Sequence, residues 1–195
     1  QLLVHPMSIK NGVKKPPGVN INHWLSTHTS DFFKLTTALF GSLFSVCTAE
    51  SCACMNCGST FEYLWRDPGQ RPVRLSAPDY VTRLHSWIDE QIKDEGKFPT
   101  AGSYPEDFQV HVKNIFRRLF CVYAHAYTSH YDSMGEMGVE ASFNTAFIHF
   151  MVFANEFDLI SVMELKPAKE LLFAVIPDIA EEKFRAANTA ANAET

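Results

Sequence analysis

Two pairs of side chains that bind metals, each with four residues between its members, constrain this chain more than any other feature: Cys47 with Cys52, and His125 with His130. Zinc is satisfied by four nitrogen or sulfur ligands in a tetrahedron. A site drawing on both pairs would clip a loop to a segment 73 positions further on, counted from Cys52 to His125. Closing so long a loop costs chain entropy, so a metal there would contribute directly to folding free energy. The histidine spacing adds a geometric condition. Five steps along an α-helix rotate by about 140° at about 3.6 residues per turn, so the two imidazoles cannot share one face of a regular helix. The helix must loosen or end between them, and Thr128-Ser129 followed by glycines at 135 and 138 fits such a break. Spacing alone leaves two other readings open. Cys47, Cys52, Cys54 and Cys57 would make a local all-cysteine site, the last two standing at knuckle spacing. Alternatively no metal is bound, because cysteine is often just a small buried hydrophobe.

Four of the five cysteines crowd into residues 47–57. A secreted disulfide framework has an even count spread along the chain, so the pattern indicates a reducing compartment. The length of 195 residues suits one domain or two small ones, and sixteen phenylalanines supply the bulk of a core. A formal net charge of −5 argues against nucleic acid as the main ligand, since phosphate backbones demand a basic footprint. No apolar run approaches the ~20 residues of a membrane helix, and Leu2-Leu3-Val4 is too short for a signal-peptide core. The chain opens at Gln1, and its natural start is expected upstream.

Residues 1–20 are basic and carry Pro16-Pro17-Gly18, which predicts a flexible lead-in. Phe32, Leu35, Leu39 and Leu43 then fall on one helical stripe with Thr29 or Ser30 as N-cap, after a shorter helical turn around residues 22–28. Residues 45–60 have no period and read as a loop. Phe61–Trp65 alternates like a strand, Asp67-Pro68-Gly69 is a turn, and Arg71–Leu75 is the return strand, limited by Pro72. Ser76-Ala-Pro78-Asp79 opens a helix carrying Tyr80, Leu84, Trp87, Ile88 and Ile92. Phe108, Val112, Ile115, Phe116, Leu119, Phe120 and Tyr123 form the longest amphipathic run, and Phe143, Phe147, Phe150, Met151, Ala154 and Phe157 the next. Ser161 to Glu164 is a second capping-box pattern, and Leu165, Leu171, Leu172 and Val175 suggest a last helix. The domain is expected over 21–176, followed by a polar tail, 177–195, that is disordered or a loose helix. The expected fold is mainly α: a helical bundle with one short β-hairpin.

The chain resembles the Mob family. The segments Phe32-Phe33, Cys47-Thr-Ala-Glu-Ser-Cys52, Phe61-Glu-Tyr63-Leu-Trp65, Leu75-Ser-Ala-Pro78-x-Tyr80, Phe98-Pro99, Arg118-Leu-Phe120-x-Val-Tyr-Ala-His125, Asn144-Thr-x-Phe147-x-His149-Phe150 and Glu156-Phe157-x-Leu-Ile160 stand in that family's order, over roughly residues 15–176. The likeness is to the class that partners NDR and LATS kinases rather than the phocein class. It implies an all-α domain around four helices, with one structural zinc ion on Cys47, Cys52, His125 and His130 and with Cys54, Cys57 and Cys121 as non-ligands. It implies a non-catalytic adaptor and coactivator of an NDR/LATS-type serine/threonine kinase, in Hippo-like signalling, the cell cycle and cytokinesis. The alternative is a phocein-like scaffold subunit. The implied location is cytoplasmic, with the nucleus and spindle or basal-body structures as further places.

The same resemblance places the kinase-binding surface on the first long helix and the chain before it, with His23, Trp24 and Asp31. Val19 and His23 stand where the family has acids. Arg71, Arg117 and Arg118 match basic positions of a pocket for phosphopeptides of upstream kinases or scaffolds, and Cys121 replaces a further arginine. Arginine suits this task because its planar fork matches phosphate oxygens. Taken by themselves, the residues also allow Trp24 as a core aromatic, Asp31 as an acid favoured by the helix dipole, and Arg117-Arg118 as a solvated face. An enzyme is not expected. A site of two cysteines and two histidines is closed, whereas catalytic zinc keeps a water, and the sequence has no glycine-rich phosphate loop, H-E-x-x-H or nucleophile elbow.

Overall fold

The computed structural model describes residues 6–193. The expectations for residues 1–5 and 194–195 lie outside the described residues. The elements are α1 (Pro6–Gly12), α2 (Ile21–Gly41), β1 (Asn56–Cys57), β2 (Phe61–Glu62), α3 (Ala77–Lys93), α4 (Phe108–Glu136), α5 (Glu140–Glu156), α6 (Val162–Leu165), a 3₁₀ turn (Lys166–Ala168), α7 (Lys169–Val175) and α8 (Pro177–Ala193). The long helices α2, α3, α4 and α5 pack on one another, with α4 touching all of the other three. No described helix is long and apolar enough to cross a membrane.

Helix α2 corrects the expected start. Its N-cap is Asn20, whose side chain accepts from the backbone N–H of Asn22 (2.8 Å) and His23 (3.3 Å). Thr29 and Ser30 lie inside the helix, their hydroxyls donating to the carbonyls of Leu25 (2.6 Å) and Ser26 (3.3 Å). That back-bonding absorbs the polar groups that made these residues read as caps. The buried face also differs from the expected stripe. Leu25, Thr29, Phe32, Thr36 and Phe40 face inward, while Leu35 is 38% exposed. Thr36 is tolerated inside because its hydroxyl meets the Tyr123 hydroxyl at 3.2 Å.

The core is aromatic. Phe116 stacks on Phe150 and Phe153, at centroid distances of 5.1 and 5.7 Å. Phe32 stands edge-on to Phe116 (5.7 Å) and Phe150 (5.6 Å), joining α2, α4 and α5. Edge-to-face and offset contacts add to the burial energy of these rings. Phe150→Ala is expected to destabilise the protein by about 3–5 kcal/mol, read as a lower urea midpoint at unchanged slope.

His85 on α3 is held neutral. Burial beside Phe33 (centroids 5.8 Å) lowers its pKa to about 4, and its Nε2 has no hydrogen-bond partner among the described residues. Between that value and the ordinary 6.5 the unfolded chain takes up a proton that the folded chain refuses. Stability therefore rises with pH across this window. His85→Phe is expected to flatten the pH dependence of the unfolding midpoint between pH 4.5 and 7, and a slope unchanged from wild type would refute this.

The hairpin is smaller than expected. Trp65 and Val73 make one antiparallel bridge, through Trp65 N–H to Val73 O (2.9 Å) and Val73 N–H to Trp65 O (2.8 Å). It does not extend toward Leu75, because the Leu75 carbonyl accepts instead from Met55 N–H at 3.0 Å. The next place beside the first strand is taken by the supposed loop: β1 pairs with β2, and Tyr63 N–H donates to Met55 O at 2.8 Å. The expected turn is present, with Gln70 N–H on Asp67 O (3.1 Å) and Gly69 at φ +72°.

Both termini of the described chain are more ordered than the sequence suggested. In the expected lead-in, α1 buries Ile9, and Val13 just beyond it is 1% exposed. These two residues at i and i+4 are a sufficient stripe for one turn against α5. In the expected tail, α8 buries Ile179 and Ala180 and pairs Lys183 with Asp158 at 2.8 Å. Its Phe184 stacks on Phe173 of α7, with Lys169 over both rings. The narrow stripe is enough because α7 already offers an apolar partner.

Candidate metal centre and basic cleft

The chain after α2 turns tightly into the cysteine loop. Cys47 N–H donates to Leu43 O (2.7 Å) and Cys52 N–H to Thr48 O (2.8 Å). The Ser51 hydroxyl accepts from Thr48 N–H (2.9 Å) and donates to Val46 O (2.7 Å), fixing the four residues between the cysteines. On α4, His125 lies in regular helix, but His130 departs to φ −135°, ψ 18°. That departure meets the condition set by the spacing and brings the second imidazole back toward the first, with ring centroids 5.2 Å apart.

Cys47, Cys52, His125 and His130 are all buried, and their ligand atoms lie within 4.8 Å of one another. Cys47 Sγ is 3.5 Å from His125 Nε2, and Cys52 Sγ is 3.3 Å from His130 Nε2. A tetrahedron with metal–sulfur bonds of ~2.3 Å and metal–nitrogen bonds of ~2.1 Å has S···N edges of about 3.6 Å, close to both distances here, so the donor set suits such an ion. The ring orientation fits as well. His125 Nδ1 lies 3.2 Å from the backbone carbonyl of Asn56 and 3.0 Å from Asn56 Oδ1. Both are acceptors, so Nδ1 carries the proton and Nε2 presents its lone pair to the cluster. Ser129 donates to the same Oδ1 at 3.0 Å and holds the amide in place.

Burial first, then the neighbouring Cys52, pushes the Cys47 thiol up to about 12. Burial, with the adjacent His130 acting in the same direction, lowers His125 to about 4 against the Asn56 hydrogen bond. A metal would take the imidazoles as they stand and displace the thiol proton. Cys54 and Cys57 are outside the cluster. The Cys57 thiol donates to Pro167 O (3.4 Å) instead, so among the described residues the local all-cysteine alternative has no geometric support.

The basic residues divide between two hollows. Arg117 and Arg118 line a cleft of about 600 Å³ with Arg66, Cys121, Leu64 and Met163. Arg71 lines the neighbouring hollow with Asp67, Gln70 and Arg83. The expected trio therefore does not converge. Arg118 lies between two indoles, its guanidinium carbon 4.4 Å from the Trp65 ring centre and 4.6 Å from that of Trp87. Its Nη2–H donates to the Arg66 carbonyl at 3.1 Å. Arg117 has Glu164 at 3.8 Å.

The three residues expected on the α2 surface are in different settings. Asp31 is exposed, next to the exposed Leu35, and no cation lies within ion-pair distance of it among the described residues. Trp24 stands seven positions earlier on the same helical face, but it is half-buried. Its indole N–H donates to Val13 O (3.2 Å) and its ring packs on His28 at 4.2 Å. His23 is exposed and faces the loop before α4, with Nδ1 3.4 Å from the Tyr104 hydroxyl.

Comparison with known proteins gives a consistent result. The profile of the Mob1/phocein family matches residues 1–168. The chain is 43% identical over 173 residues to MOB kinase activator-like 1B of Arabidopsis thaliana, covering 87% of this chain and 80% of the relative. It is 39% identical over 173 residues to the maintenance of ploidy protein mob1 of Schizosaccharomyces pombe, covering 87% and 82%. It is 39% identical over 169 residues to MOB kinase activator 3A of Pongo abelii, covering 85% and 78%.

Proposed function

The chain belongs to the Mob1/phocein family, and from that premise we propose that it is a non-catalytic coactivator of a serine/threonine kinase of the NDR/LATS type. The observation that carries this reading is the likeness, at about 40% identity across most of the chain, to proteins named as kinase activators. The kinase's basic N-terminal regulatory segment docks along the outer face of α2, where Asp31 supplies an uncompensated negative charge and Leu35 an apolar contact. Trp24 supports this face from beneath by tying α2 to Val13. The ion held by Cys47, Cys52, His125 and His130 is zinc. As a resident ion it supplies a rigid, closed crosslink between the cysteine loop and α4, and no reactive water. The cleft lined by Arg117 and Arg118 receives a phosphopeptide from an upstream kinase or scaffold. The protein works in the cytoplasm.

Calorimetry of the purified protein against the N-terminal segment of an NDR-type kinase tests the central claim. Saturable one-to-one binding is expected. The coactivator reading is lost if no such segment binds.

A further inference from the structure

We propose that Arg66, rather than Arg71, is the third cation of the basic cleft and contacts the anionic group of the bound phosphopeptide together with Arg117 and Arg118. This inference rests on the phosphopeptide reading of the cleft given above. It starts from strand parity. Successive side chains of an extended segment point to opposite faces, and bridge partners point to the same face. Trp65 and Val73 are bridge partners. Arg66 and Pro72, each one step away, therefore share the opposite face, and both line the cleft. Asp67 and Arg71, each two steps away, share the Trp65 face and line the other hollow. A one-residue offset thus separates Arg71 from the cleft and delivers Arg66 to it.

The charges in the cleft point the same way. Arg66 is exposed, and no carboxylate lies within 4.0 Å of its guanidinium among the described residues. The two acids of the cleft are already engaged. Glu62 takes a two-pronged contact from Arg74, at 3.0 and 2.8 Å. Glu164 is held by Ser161 through N–H (2.9 Å) and hydroxyl (2.8 Å), leaving 3.8 Å to Arg117. Cys121 adds no charge to the floor, since burial pushes its thiol up to about 12. Among the described residues Arg66 is therefore the one cation of the cleft that is neither opposed by an acid, as Arg117 is, nor clamped between rings, as Arg118 is. The exposed Leu64 and Met163 beside it, 50% and 70% accessible, suit a peptide better than a free anion.

The backbone of Arg66 has a separate role, which makes the test clean. Its carbonyl accepts from Arg118, and a side-chain substitution leaves that carbonyl in place. The full chain is titrated by fluorescence anisotropy with a short peptide carrying phosphothreonine between apolar residues, and with its unphosphorylated twin. Arg66→Gln is expected to weaken the phosphorylated peptide roughly ten- to a hundredfold, as for loss of a charge-assisted contact. Arg71→Gln should change it by less than about twofold. Binding of the unphosphorylated twin and the thermal midpoint should move in neither variant. If Arg66→Gln binds as wild type while Arg117→Gln is weakened, or if Arg71→Gln is weakened as strongly as Arg66→Gln, this assignment is overturned and the cleft reading survives. If wild type does not discriminate the two peptides, the phosphopeptide reading fails and takes the assignment with it.

Discussion

Replacing Cys47 by serine is expected to lower the thermal midpoint by more than about 10 °C and to abolish stoichiometric metal binding. The size follows from two comparisons. Structural zinc contributes an apparent ~10–16 kcal/mol in small zinc-bound peptides, and a whole domain has only about 5–15 kcal/mol of net stability. Even a third of the ion's contribution exceeds what most single substitutions remove. A metal bridge between Cys47 and His125 would span 78 positions, so its loss would free a long loop. Burial by itself is controlled by Cys57→Ser. That thiol is 4% exposed, comparable with 1% for Cys47, yet it lies outside the cluster and bonds Pro167 O. Cys57→Ser is expected to cost about 1–2 kcal/mol and to keep its metal. Native mass spectrometry reads the ion and scanning calorimetry the midpoint. Equal losses in the two variants, or metal retained by Cys47→Ser, would remove the structural-ion reading.

Reversing the charge at Asp31 is expected to weaken the kinase segment more than any neutral substitution on the same face. Asp31 is exposed on α2 with no cation within ion-pair distance among the described residues, so its charge is available to a basic segment. Asp31→Ala removes that attraction and should cost about three- to tenfold in affinity. Asp31→Arg adds repulsion and should cost about ten- to a hundredfold, chiefly in a slower association rate that is rescued in part by salt. Because Trp24 is tied to Val13 O, truncating it should loosen α1 as well as the docking face, so it is a poorer test than Asp31. Equal affinity of wild type and Asp31→Arg would move the interface off this face.

The sequence by itself determined whatever depends on local chemistry or short spacing. The capping box at Ser161 and Glu164 and the cap at Ser76 stand where the residue pattern put them. The four residues of the buried cluster could be picked out because chemistry restricts which side chains suit a metal, and the five-residue step from His125 to His130 already required the helix to depart from regularity if both imidazoles were to meet. Tertiary structure alone decided which of several compatible faces were used. On α2 both Thr29 and Leu35 fit helical periodicity. Thr29 went inside because a carbonyl absorbs its hydroxyl, and Leu35 stayed out. The stripes of α1 and α8 are narrow, so the sequence left α1 in a flexible lead-in and allowed α8 only as a loose helix, and it is the α5 and α7 surfaces receiving them that order both. The basic cleft turned on the pairing of Trp65 with Val73. A slip of one residue by the return strand would turn Arg71 to the face that Arg66 occupies, and register is fixed by packing on the rest of the domain rather than by the strands themselves.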